Sequence, residues 1–256
     1  MTLTNIYPSL RERVVFITGG ATGIGASLVE AFCRQRARVC FVDIEDGAAA
    51  ALVDRVATIP GATRPRYDHC NLLDVEALRS VIAAVGREVG PIGVLLNNAA
   101  SDLRHDFTEI TTEFWNERIN VNLRHPFFAI QAVHPQMKAL GGGSIVNFGS
   151  ISWRLGQGGM TGYTTAKAGL EGMTRGLARD LGQDNIRINT LVPGWVMTER
   201  QLKDWVDEAA AEAIDRGQSL KSRLMPDDIC AMALFLASDD SRMCTAQSFI
   251  VDGGWS

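Results

Sequence analysis

The chain predicts an α/β fold, a single domain over residues 1–256 built as a doubly wound parallel sheet of about seven strands with helices on both faces. Three observations predict it. Short β-branched and aromatic runs alternate with longer segments of helical spacing. No linker, repeat or low-complexity stretch divides the chain, so one core is the simpler reading. The polar motifs fall where strands end, which is where such sheets bind ligands.

Each element has its own signal. Val14 to Ile17 is a buried strand, Gly19, Gly23 and Gly25 follow at once, and apolar positions in Ala26 to Arg36 recur at helical spacing. A second strand, Val39 to Val42, ends in Asp43. This order of strand, glycine turn, helix, strand and acid suits a dinucleotide. The glycines let the backbone approach a pyrophosphate, and the helix start offers unpaired N–H groups and partial positive charge. Asp43 can accept hydrogen bonds from ribose hydroxyls and would repel a 2′-phosphate, which favours NAD over NADP. A purely structural turn is the alternative, and the agreement of motif with context argues against it.

Further along, Arg64 to Tyr67 reads as a third strand, Val75 to Val89 as a helix and Gly93 to Leu96 as a fourth strand. Thr112 to Lys138 reads as one helix, long or broken around Pro126, and Gly141 to Gly143 stop it before the strand Ser144 to Phe148. A helix carrying Tyr163 runs to Leu181, the strand Arg187 to Val192 follows, and Pro226 starts a late helix before the last strand, Ser248 to Val251. The segment around 195–225 is expected to be an insertion that covers the substrate.

Tyr163 and Lys167 stand four apart on one helix face, with Ser150 at the end of the preceding strand. A phenol normally titrates near pH 10. One positive charge about 5 Å away, at an effective dielectric of about 20, favours the phenolate by roughly 3 kcal/mol, or about two pKa units. The pair is therefore a candidate for moving a proton at neutral pH. An exposed helix pair is the ordinary alternative for this spacing alone.

The glycine turn reads Thr18-Gly19-x-x-x-Gly23-x-Gly25. Together with NNAA from Asn97 to Ala100, Asn122 in NVNL, Ser150, the YTTAK pair and PGWVMT from Pro193 to Thr198, it resembles the short-chain dehydrogenase/reductase family in its NAD-preferring, single-domain Rossmann form. The resemblance implies a catalytic set of Asn122, Ser150, Tyr163 and Lys167. Tyr163 would be the acid/base, Ser150 would hold the substrate oxygen, and Lys167 would lower the tyrosine pKa and bind the nicotinamide ribose. Asn122 would hold a water in a proton relay. It also implies NAD contacts from Gly19, Thr22, Gly23, Ile24, Gly25, Asp43, Asn71, Leu72, Asn98, Ala99, Tyr163, Lys167, Pro193, Gly194, Val196 and Thr198. The family often has an acid at Asn71, whose amide oxygen can still accept the adenine hydrogen bond, so a tuned contact is expected; it often has a glycine at Ala100, where simple tolerance of alanine is favoured over an altered wall beside the nicotinamide.

The segments expected to overhang the site mix polar residues with tryptophans, which suits a small polyhydroxylated ligand better than a steroid. At a finer level INVNLRH, NFGSISWRLG, EGMTRGLARDLG and the terminal VDGGW resemble bacterial aldose 1-dehydrogenases, the xylose and galactose dehydrogenase group. That resemblance implies oxidation of the anomeric hydroxyl of an aldose to an aldonolactone, and a homotetramer. The substrate candidates are Asp102, Arg104, His105, Ser150, Ser152, Arg154, Tyr163 and Trp195. Another secondary alcohol, or a nucleotide-binding sensor without turnover, are the competing readings.

Composition narrows the partners. A net charge of −4 with no basic cluster gives no expectation of nucleic acid. No apolar run approaches a membrane span, and the first residues lack a signal-peptide pattern, so a cytoplasmic protein is expected. Five cysteines in apolar segments read as reduced thiols, and no Cys/His spacing suggests a metal site.

Overall fold

The computed structural model describes residues 3–256. Seven strands form one parallel sheet: β1 (Val14–Thr18), β2 (Arg38–Asp43), β3 (Arg66–His69), β4 (Ile92–Asn97), β5 (Gly143–Phe148), β6 (Ile186–Pro193) and β7 (Ser248–Val251). Their order across the sheet is β3-β2-β1-β4-β5-β6-β7. The chain thus moves outward from β1 in one direction, returns to β4 on the other side of β1, and continues outward. The reversal between β1 and β4 opens a crevice at the carboxyl ends of the strands.

Strand alternation feeds two apolar cores, one on each face. Val15 and Ile17 of β1 and Val39 and Phe41 of β2 pack with α1 (Gly23–Arg34), α2 (Asp46–Ala57) and α9 (Pro226–Ala237). Val14, Phe16, Cys40 and Val42 point the other way, against α3 (Val75–Glu88), α5 (His125–Ala139) and α6 (Thr161–Gly182). The helix α2 was not among the elements expected. Its buried positions Ala49, Leu52 and Val56 follow helical spacing, but the alanines around them dilute the contrast between its faces.

The interruption expected near Pro126 takes a specific form. The helix α4 (Thr112–Ile119) passes into α5 through a π-helical turn, Asn120–Arg124. Pro126 has no N–H to return to the carbonyl four residues back, at Asn122, and the N–H of His125 bonds the carbonyl of Asn120, five residues back. The axis continues, but the wider turn rotates Asn122 and His125 into the protein, where both are buried. Two short helices, α7 (Glu199–Asp204) and α8 (Glu208–Gly217), occupy the segment expected to cover the site. Among the described residues no helix is long and apolar enough to cross a membrane.

Candidate active site

A cleft of about 1050 Å³ runs along the carboxyl ends of the strands from Asp43 to Tyr163 and Trp255. At one end is the glycine turn. Gly19 adopts φ +67, and a Cβ there would lie 2.7 Å from the Cα of Ala99. Gly25 is tighter, since a Cβ would sit 1.8 Å from the carbonyl oxygen of Gly19. The amide of Asn98 closes the turn from the β4 side, donating to the carbonyls of Thr18 at 3.2 Å and Gly19 at 2.8 Å. Thr22 precedes α1 without bonding its first N–H groups through its side chain. Those groups therefore face the cleft as donors for an anion.

Asp43 anchors the same loop. One carboxylate oxygen accepts the Ala21 N–H at 2.9 Å, and the other accepts those of Ile44 at 2.8 Å and Glu45 at 3.2 Å. Each oxygen has more than one acceptor position, so the carboxylate can also take hydroxyl donors from a ribose. Asn71 and Leu72 line the cleft beyond it. The side-chain oxygen of Asn71 accepts the Leu73 N–H at 3.0 Å, which turns its NH₂ group into the free partner there. Pro193, Gly194, Val196 and Thr198 line the opposite wall, where Thr198 caps α7 by accepting the Gln201 N–H at 3.3 Å. This cradle of backbone donors, glycines that no Cβ can replace and a terminal carboxylate fits a dinucleotide.

Tyr163, Lys167 and Ser150 meet at the other end. Lys167 is 2% exposed, donates to the carbonyl of Phe148 at 2.6 Å and lies 5.5 Å from the centre of the Tyr163 ring. Ser150 shares a hydrogen bond with Tyr163 and donates to the hydroxyl of Ser152 at 2.9 Å. Electrostatics corrects the expectation drawn from spacing. Burial pushes the Tyr163 phenol up to about 12, against a smaller lowering by Ser150, and pushes Lys167 down to about 8. Desolvation penalises the charged form of each partner, and the charges that act on the phenol are those of Asp102, Arg104 and Arg200.

Asn122 does not line the cleft. Its carbonyl accepts the Ser101 N–H at 2.9 Å and its amide donates to the carbonyls of Ser101 at 3.0 Å and Arg118 at 2.9 Å. The side chain therefore fixes the loop after β4 to the π turn.

The substrate candidates divide. Asp102, Arg104, Ser150, Ser152, Tyr163 and Trp195 line the cleft. Arg154 and His105 do not, and both are corrections to the expected set. Arg154 bonds Glu171 at 2.5 Å and stacks on Trp153, because Glu171 also accepts the Trp153 indole N–H at 2.9 Å and so draws both side chains away. The His105 ring meets Phe114 in a T-shaped contact, and the His105 backbone N–H donates to the carbonyl of Gly159 at 2.8 Å.

The lid joins Arg200, Gln201, Trp195 and Trp205, all from the segments expected to overhang the site, and adds Trp255, which was not expected there. Asp102 accepts from Arg200 at 2.6 Å and from Gln201 at 3.3 Å, while Gln201 accepts the Trp195 indole N–H at 2.9 Å. The Trp195 ring stacks with Trp255, 6.4 Å between centres. Arg104 lies over the Trp205 ring, and its buried Nε has no hydrogen-bond partner among the described residues. Trp255, four residues past the last strand, was the hardest to foresee, and only the terminal VDGGW hinted at it.

Residues 19–256 match a family described as enoyl-(acyl carrier protein) reductase. The chain is 49% identical over 250 residues to a D-xylose 1-dehydrogenase of Caulobacter vibrioides, covering 98% of each chain. It is 48% identical over 248 residues to a Rhizobium meliloti protein named "Probable galactose dehydrogenase GalD", covering 97% of this chain and 96% of that one. Among solved structures, a blue fluorescent protein from a metagenomic library in complex with NADPH is 35% identical, with a TM-score of 0.88 over 97% of this chain and 99% of that one. With its glycine turn, its seven-stranded sheet and these full-length relatives, the chain belongs to the short-chain dehydrogenase/reductase family.

Proposed function

We propose that the protein is an NAD-dependent aldose 1-dehydrogenase that oxidises the anomeric hydroxyl of a pyranose to an aldonolactone. The observation that carries this reading is the mixed lining of the reaction end. Tyr163 and Ser150 are faced by Asp102, Arg104, Gln157 and Gln201, and by the indoles of Trp195 and Trp255. A sugar ring needs hydrogen-bond partners around its edge and flat apolar faces against its C–H groups. A steroid would need a continuous apolar wall. The names of the relatives at 48% and 49% identity support the same substrate class. Asp43, a carboxylate lining the cleft at the end of β2, would repel a 2′-phosphate, which supports NAD over NADP.

When bound, the oxidised nicotinamide supplies a hydride acceptor and a positive charge. Ser150 and Tyr163 hold the anomeric oxygen between them, and Tyr163 as phenolate takes its proton as the O–H bond breaks. Lys167 favours that phenolate while it is charged. Burial holds the phenol up and the ammonium down, so a further positive charge at the cleft would favour the phenolate. The lid helix α7, latched to Asp102, keeps water from the reacting oxygen.

We place the enzyme in the cytoplasm as a homotetramer built on α5 and α6. Gly172 and Gly176 leave a smooth stripe on α6 with nothing within 4 Å of where a Cβ would stand, and Phe127 of α5 is 40% exposed. Sedimentation at micromolar concentration tests this, and a monomer alone would refute it. The activity is tested by nicotinamide reduction against pentoses, hexoses, polyols and a steroid alcohol. NADH formation with an aldose is expected. Turnover of another alcohol with none of any aldose would refute the sugar reading.

A further inference from the structure

His125 stands out among the buried polar groups. It is the first residue of α5, directly after the π turn, and is 0% exposed. Its Nδ1 lies 2.8 Å from the carbonyl oxygen of Val121. A carbonyl only accepts, so Nδ1 carries the ring hydrogen and Nε2 is a bare lone pair. That nitrogen is buried and has no partner among the described residues. Buried acceptors are nearly always satisfied, because water is no longer there to bond them. By contrast, Asn147, Thr174 and Thr190 satisfy one another in the core.

The neighbour that would satisfy His125 is identifiable. Burial, joined by the charge of Lys167, holds the imidazole pKa down to about 3. Lys167 has three N–H donors, of which the carbonyl of Phe148 takes one. The π turn that carries Val121 packs on α6, which carries Lys167, and Val121 itself lines the cleft.

We propose that His125 is a positioning residue for the catalytic lysine: its Nε2 accepts a hydrogen bond from one ordered water that the Lys167 ammonium in turn holds, and so favours the charged lysine. The inference rests on reading Tyr163 and Lys167 as the acid/base pair, and not on which substrate they serve. His125 stays neutral across the working range and works through its lone pair; no proton passes to it. The other charged groups acting on the pair are Asp102, on both Tyr163 and Lys167, and Arg104 and Arg200, on Tyr163. All three belong to the lid side of the cleft, so a change at His125 reads separately from them.

The test compares His125→Phe, which removes the acceptor, with His125→Gln, which returns one, by the pH dependence of kcat. The Phe variant is expected to move the rising limb about one unit toward higher pH, which is about a tenfold loss on its acid side and convergence with the native enzyme above it. The Gln variant should recover most of that loss. Superimposable profiles for the native and Phe enzymes would overturn the proposal. A second measurement uses the native protein and needs no turnover: the ¹⁵N spectrum of the His125 imidazole. The proposal requires the Nδ1–H tautomer with Nε2 displaced toward its hydrogen-bonded position. A free Nε2 signal, or the opposite tautomer, would overturn it even if no aldose were oxidised.

Discussion

Tyr163 and Lys167 share one enclosure, and burial drives each toward its neutral form. On the proposed mechanism, the positive charge of a bound oxidised nicotinamide would favour the phenolate that burial disfavours. We expect Tyr163→Phe to lower kcat by at least about a hundredfold, as loss of a general base does, while NADH binding measured by fluorescence stays close to native. Undiminished turnover would remove the phenol from the mechanism. Asp43→Ala should narrow the preference for NAD over NADP in kcat/KM, because the carboxylate that opposes a 2′-phosphate is gone; an unchanged ratio would place the discrimination elsewhere. At this scale the sequence was a good guide wherever a backbone motif set the position, as for Gly19, Gly25, Asp43 and Tyr163. It was a poor guide for side chains that choose among partners. Arg154 is drawn off by Glu171, 17 residues away, and no local pattern announces that competition.

Two elements hold the chemistry in place. The turn between β1 and α1 works because Gly25 lets α1 approach the carbonyl of Gly19. We expect Gly25→Ala to cost about 3 kcal/mol in denaturant unfolding, at the upper end for overpacking, and to abolish measurable NADH binding. Native stability and binding would show that the turn has slack that its geometry denies. The lid is held differently, by Arg200 and Gln201 on the carboxylate of Asp102. Most strands and helices were legible, because β1, β4 and β5 are buried along their whole length and most helices are amphipathic; α2, diluted by its alanines, was not. The π turn was not: Pro126 announces an interruption, but whether a helix breaks, kinks or widens depends on what packs against it. The latch on Asp102 was also hidden, since its partners lie 98 and 99 residues away in sequence.

Across the whole molecule, a buried polar ladder ties the central strands to α6. Asn97 donates to Asn147 at 2.8 Å, Asn147 and Thr190 both donate to Thr174, and Thr174 donates to the carbonyl of Leu170 at 2.9 Å. Thr174→Val would strand two buried donors, and we expect a loss of about 3 kcal/mol in chemical denaturation. A change within experimental error would mean that the ladder rearranges. His125 sets a pH dependence of stability as well. Its pKa falls from 6.5 unfolded to about 3 folded, so the unfolded chain binds the proton more readily between those values, and stability is lost as the pH falls from 6.5 toward 3. Denaturant midpoints for His125→Phe should show a shallower slope over that window than the native protein; equal slopes would assign the acid sensitivity to other groups. The doubly wound order was foreseeable as a class from the alternation of strands and helices, whereas the contribution of Trp255 depends on how the tail folds back over α8. The central claim, oxidation at the anomeric carbon, is tested most directly by giving the enzyme NAD and an aldose labelled with ¹³C at C1 and following the label by NMR. The account predicts that the C1 signal becomes that of a lactone carbonyl as NADH forms. A C1 signal that remains anomeric while NADH accumulates would place the oxidation at another carbon and contradict it.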